Sequence, residues 1–185
     1  MFEAYFKLGF EHILDINGLD HVLFLLALTM PFSLKDWKRV IILATAFTVG
    51  HSVTLALSAL DIIKVNSDLI EILIALSIFI TALLQIIKKQ SDQKLKKEYG
   101  LALLFGFIHG MGFSNFFKSI LGKDNITIPL LSFNIGVEMA QILIVLAIIT
   151  FNTAVFKYLK NRGYWVYTVG GLVCLWSLKL IVERL

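Results

Sequence analysis

The chain has 185 residues, of which 58% are hydrophobic and 16% charged, with mean hydropathy +0.83, two prolines and a formal net charge of +4. This balance excludes an ordinary soluble domain and implies an integral membrane protein, because apolar runs near the roughly 20 residues that cross a hydrocarbon core of about 30 Å recur along the whole length. The basic residues, which in a soluble chain would suggest an anionic partner, lie in short segments between those runs and read as topology signals, so no nucleic-acid partner is implied.

In chain order, residues 2–14 predict a short amphipathic helix, with Phe2, Phe6, Phe10 and Leu14 on one side and Glu3, Lys7 and Glu11 on the other. Such a segment is expected at the interface or capping a bundle. It lacks a basic start, an apolar stretch and a small-residue cleavage site, so no removable signal peptide is expected. Six membrane helices follow, at roughly 18–32, 37–60, 68–89, 98–113, 126–156 and 163–183. The expected fold is therefore all-α, a polytopic bundle of six transmembrane helices in one domain over residues 1–185. The stretch from Lys88 to Gly100 is the most polar and is expected outside the lipid.

Counting Lys and Arg orients the bundle. If the helix at 18–32 starts outside, Lys35, Lys38, Arg39, Lys88, Lys89, Lys94, Lys96, Lys97, Lys157, Lys160 and Arg162 fall on the cytoplasmic side. The other side receives Lys7, Lys64, Lys118, Lys123, Lys179 and Arg184. The excess places both termini on the non-cytoplasmic face of a bacterial inner membrane.

That orientation gives depths, at about 1.5 Å per residue. Asp20 and His21 stand at the outer start of the first membrane helix, with Asn17 and Gly18 as the turn before it. His51 lies past the midplane of the second, His109 near the outer end of the fourth, and Glu138 about three turns into the fifth. Four helices thus bring Asp, His and Glu to one depth, and His12 joins from the N-terminal segment. Ionisable groups inside a membrane normally face a protein interior and pair or bind something. Imidazole with carboxylate suits a borderline divalent cation such as nickel, cobalt or zinc; Met30, Met111 and Met139 leave limited room for copper(I). Asp20 has a rival role as a helix N-cap. The lone Cys174 excludes an internal disulfide and a multi-cysteine metal site. Gly50, Gly106, Gly110, Gly112 and Gly136 form small-residue faces that let helices approach closely, and Gly170 and Gly171 read as packing.

The motifs GFEHILDINGLDHVLFLLAL (residues 9–28), FTVGHSVTLALS (47–58), LLFGFIHGMGF (103–113) and LLSFNIGVEMAQ (130–141) together resemble the HupE/UreJ family of small bacterial membrane proteins. The resemblance implies a nickel or cobalt permease. It maps the family's His and Asp-His hallmark onto His12, Asp20 and His21, and a later His-Gly motif onto His109-Gly110. The interval between His12 and Asp20 is longer than in the family pattern.

Three functions are then in view. The first is divalent metal transport through His21, His51 and His109, with Asp20, Glu138 and His12 completing the ligand set. Against a simple path, the inner half offers chiefly Thr29, Thr45, Thr48, Ser77, Thr81, Gln85 and Gln141, which are weak nickel ligands. The second is a zinc hydrolase cutting a lipid or peptide bond near the outer leaflet, with Asp20 or Glu138 as base and Ser52 or Ser114 as oxyanion donor. The third is a metal-stabilised scaffold or sensor. The partners implied are the lipid bilayer and a metal ion (Ni, Co or Zn), and homo-oligomerisation is left open.

Overall fold

A computed structural model describes residues 1–15, 19–64, 66–87, 95–121, 126–159 and 161–185. The expected turn at Asn17 and Gly18, and Lys88, Lys89, Lys94, Lys123 and Lys160, lie outside the described residues. The helices are α1 (Phe2–Leu14), α2 (Asp20–Thr29), α3 (Trp37–Ala59), α4 (Ser67–Ile87), α5 (Leu95–Gly112), α6 (Ser114–Ile120), α7 (Thr127–Tyr158) and α8 (Arg162–Glu183), with no strand among the described residues.

Four of these stretches are long and apolar enough to cross a membrane: Leu34–Ala59, α4, α7 and α8. Lys97–Gly112 and α6, bent by 49° at the break, pass the same test together and make a fifth. The six expected spans are thus four to five candidates. The difference is α2, whose 10 residues rise only about 15 Å. Pro31 explains the early stop, since it removes a donor and disfavours helix in the residue before it. The exposed helix end is completed from α7, where the Asn152 amide donates to the carbonyls of Thr29, Met30 and Phe32 at 3.1, 3.3 and 3.0 Å. Trp165 of α8 donates in turn to Asn152 Oδ1 at 3.0 Å. A capping box between Ser33 and Asp36 then starts the turn leading into α3.

Glycines set the closest helix contacts. A Cβ at Gly106 would run into the Phe47 carbonyl, one at Gly50 into the Leu103 carbonyl, and one at Gly110 into the His51 carbonyl. The α3 and α5 backbones therefore touch. Their register is constant: Phe47 faces Gly106, His51 faces Gly110, and Arg39 bonds Glu98, an offset of 59 residues each time. These helices are parallel, with α4 returning between them.

A second glycine pair joins α1 to α7, antiparallel: Gly9 lies against the Phe133 carbonyl and Gly136 against that of Phe6. The buried face of α1 carries Gly9 and Ile13, whereas Phe2 and Leu14 are exposed. The expected apolar face is therefore rotated, because the close approach to α7 is decided by a missing side chain rather than by the large rings. Gly112 packs against Ile74 of α4, and Gly170 against Ile86 and Met30.

The polar stretch expected outside the lipid is partly helical, since α5 begins at Leu95. Glu98 is buried there in an ion pair with Arg39, whose Nε donates to it at 3.0 Å and whose guanidinium lies over the Phe32 ring at 5.0 Å. At the other end of the bundle, Asp61 ends α3 at a positive φ of 59°, a backbone region that Asp tolerates better than most residues. The Lys118 ammonium donates to it at 2.6 Å and holds its carboxyl below the usual carboxylate range.

Candidate metal centre

The two glycine contacts decide where the histidines meet. With α5 pressed on α3, and α1 on α7, the four imidazoles of His12, His21, His51 and His109 project from four helices into one interior space. The ring centres of His12 and His21 are 4.7 Å apart, His12 and His51 6.0 Å, His21 and His51 5.9 Å, and His21 and His109 5.1 Å. His12, His21 and His51 each offer a ligand nitrogen such that all three lie within 4.8 Å of one another. Around a tetrahedral metal with bonds near 2.0–2.1 Å the nitrogens would be about 3.3 Å apart, so modest ring rotations close the set.

Hydrogen bonding sharpens this. His12 Nε2, His21 Nε2, both nitrogens of His51 and His109 Nδ1 are buried without a hydrogen-bond partner. Buried polar atoms are nearly always satisfied, and a cluster of orphaned imidazole nitrogens aimed at one space fits a cation better than a packed core. His109 Nε2 does have a partner, the Ser77 hydroxyl at 3.1 Å, which leaves Nδ1 as its unpartnered nitrogen. The walls are aromatic. Phe113 lies 3.9 Å from the His12 ring, Phe133 6.3 Å from His51, Phe47 5.0 Å and Phe24 5.5 Å from His109. Such walls exclude water and add no competing donor atoms.

A cleft of about 580 Å³, lined by residues that include Glu11, His12, Asp15, Phe113 and Phe116, opens beside His12. Glu11 and Asp15 bring two carboxyl groups to it, a feature the sequence reading did not single out although both flank His12.

The carboxylates expected at the centre have partners of their own. Leu19 occupies the N-cap of α2, so Asp20 is the first helical residue and makes no side-chain cap. Its carboxylate accepts from Arg184 at 2.9 Å, and Arg184 also donates to the Glu71 carbonyl at 3.0 Å. Asp20 thus adjoins His21 in the chain but is engaged by a cation from the end of α8. Arg184 was legible only as an orientation signal, because 164 residues separate it from Asp20.

Glu138 lies in a different cleft, of about 350 Å³, with Thr45, Thr48, Ser52 and Asn134. Its Oε1 accepts from the Thr45 hydroxyl at 2.6 Å. The Ser52 hydroxyl donates to the Thr48 carbonyl, and that of Ser114 to the Met111 carbonyl, both at 2.7 Å. The two hydroxyls expected as oxyanion donors are thus each engaged by the backbone one turn earlier in the chain.

A family model described as HupE / UreJ protein matches residues 1–183. The chain belongs to that family. Comparison with curated proteins and with solved structures finds no match.

Proposed function

Proceeding from membership in the HupE/UreJ family, which is linked to nickel and cobalt transport, we propose that the chain carries nickel or cobalt across the bacterial inner membrane, with His12, His21 and His51 as its binding station. The single observation that carries the reading is the trio of ligand nitrogens within 4.8 Å of one another, buried in a bundle of apolar helices. The hydrated ion enters the cleft beside His12, where Glu11 and Asp15 favour positive charge. It then exchanges water for imidazole among aromatic walls. His109, its Nε2 engaged by Ser77, stands beside His21 outside that trio.

In this reading both termini lie on the non-cytoplasmic side, and the Arg39–Glu98 pair closes the cytoplasmic end of α3 and α5. Imidazole must be deprotonated to bind a metal, so acid strong enough to protonate the buried rings releases it.

The test is uptake of nickel and cobalt into liposomes holding the purified protein, together with the metal content of wild type, His12→Ala and His51→Ala. Each variant is expected to lose affinity on the order of a hundredfold or more, exceeding the 10–100-fold typical of residues that only orient a ligand. Unchanged uptake in both variants overturns the proposal. Stoichiometric metal with no flux would point instead to a scaffold or a hydrolase.

A further inference from the structure

His21 has a ring contact with each of the other three histidines, its centre 4.7 Å from His12, 5.9 Å from His51 and 5.1 Å from His109. It stands in the first turn of α2, a helix of only 10 residues. A helix this short is placed by what grips its two ends. The C-terminal end is held from two neighbours: the Asn152 amide donates to the carbonyls of Thr29 and Met30, and Gln85 of α4 donates to that of Leu28 at 3.3 Å. The first turn is held differently. No side chain caps it, and the buried apolar residues of α2 begin only at Phe24. Its polar anchor is the Asp20 carboxylate, which accepts from Arg184 at 2.9 Å.

Arg184 is itself braced. Its Nη1 donates to the Glu71 carbonyl of α4 at 3.0 Å, and its Nε lies 3.7 Å from the Glu71 carboxylate. One planar guanidinium thus spans from the backbone of α4 to the first turn of α2, a double contact that a lysine ammonium does not reproduce. The pair is largely withdrawn from solvent, with the Arg184 and Asp20 side chains 19% and 15% exposed, so screening weakens it little. Asp20 precedes His21 in the same helical turn, and a shift of its backbone carries the imidazole along. The ligand nitrogens of the trio lie within 4.8 Å of one another and close to about 3.3 Å around a tetrahedral ion. A pinned first turn keeps that small movement available.

We propose that Arg184 is a positioning residue of the metal centre: by holding Asp20 from α4 it fixes the first turn of α2, and with it the His21 imidazole. The proposal rests on the histidine centre of the preceding section. A purely electrostatic role for the same pair differs from it in sign. By charge alone, losing Arg184 bares a carboxylate near a bound cation and strengthens binding, whereas losing Asp20 weakens it. Through positioning, both losses weaken binding.

The experiment is cobalt(II) titration of the purified full chain in detergent, read by the visible absorption of the bound ion, which reports its ligands and geometry. Arg184→Ala and Asp20→Ala are each expected to lower affinity by about 10–100-fold. The double variant is expected to bind no more weakly than the weaker single, because the two residues act as one contact. At saturating cobalt both single variants are expected to share one spectrum that differs from wild type, whereas a loss of fold stability alone leaves the saturated spectrum unchanged. Binding tighter than wild type in Arg184→Ala, additive losses, or a wild-type spectrum at saturation overturns the proposal. If Arg184→Ala does not fold, Arg184→Lys decides: it keeps the charge without the fork, is expected to bind between wild type and Asp20→Ala, and overturns the proposal by matching wild type. Wild type that binds no cobalt, or that binds it no better than His51→Ala, refutes the histidine centre and this proposal together. Cobalt bound through His51 with Arg184→Ala unchanged refutes this proposal alone.

Discussion

At the scale of single residues, the histidines differ in how they are held. His51 has no hydrogen-bond partner on either ring nitrogen, while His109 is oriented by Ser77. His109→Ala is therefore expected to lower metal affinity by about 10–100-fold, less than His51→Ala, and Ser77→Ala to reproduce part of that loss. Competition titration with a colorimetric chelator would rank the three, and a His109 effect equal to that of His51 would make it a full member of the ligand set. The histidines stood out in the sequence because imidazole interrupts apolar runs at matching depths. Glu138 matched in depth as well, yet lies elsewhere. Depth fixes the position along a helix axis and says nothing of azimuth: Glu138 follows Phe133 by five residues, about 140° around α7 at 3.6 residues per turn. Phe133 is the residue that meets His51.

Helix pairs put those residues in reach. Replacing Gly106 with Ala drives a Cβ into the Phe47 carbonyl, a backbone atom that can yield only if α3 and α5 separate. The expected cost is about 1–3 kcal/mol, with weaker metal binding because His51 and His109 sit on the two helices that part. Gly171→Ala meets nothing within 4 Å and is expected to raise stability by up to about 1 kcal/mol through helix propensity. Thermal unfolding of both variants in one detergent checks the contrast, and a Gly106→Ala protein melting like wild type would show that the close approach contributes nothing. The glycine pattern was legible for α3 and α5, since Gly50, Gly106 and Gly110 flank the histidine motifs. That of α1 was not: its large phenyl groups draw the eye, whereas Gly9 alone marks where α7 lies.

Across the whole molecule, charge pairs fasten elements far apart in sequence. Arg39 and Glu98 are both largely withdrawn from solvent, with side chains 19% and 7% exposed. Arg39→Ala leaves a buried carboxylate uncompensated and is expected to cost about 3–5 kcal/mol, while Arg39→Ala with Glu98→Ala costs less than the single change. Denaturation of the two variants side by side tests this, and equal losses would refute it. Neither this pair nor Asp20 with Arg184 could be read from the sequence. The partners are separated by 59 and 164 residues, and each alone looks like a loop or terminal charge.

The two glycine contacts sort the histidines onto two helix pairs, with α4 and α8 outside both. His12 belongs to the pair made by α1 and α7, His51 and His109 to the pair made by α3 and α5, and α2 brings His21 between them. Within each pair, backbone meets backbone. In the proposed reading an ion gripped by His12 and His51 would be a clasp between the two pairs, so any change in their spacing would remove a ligand.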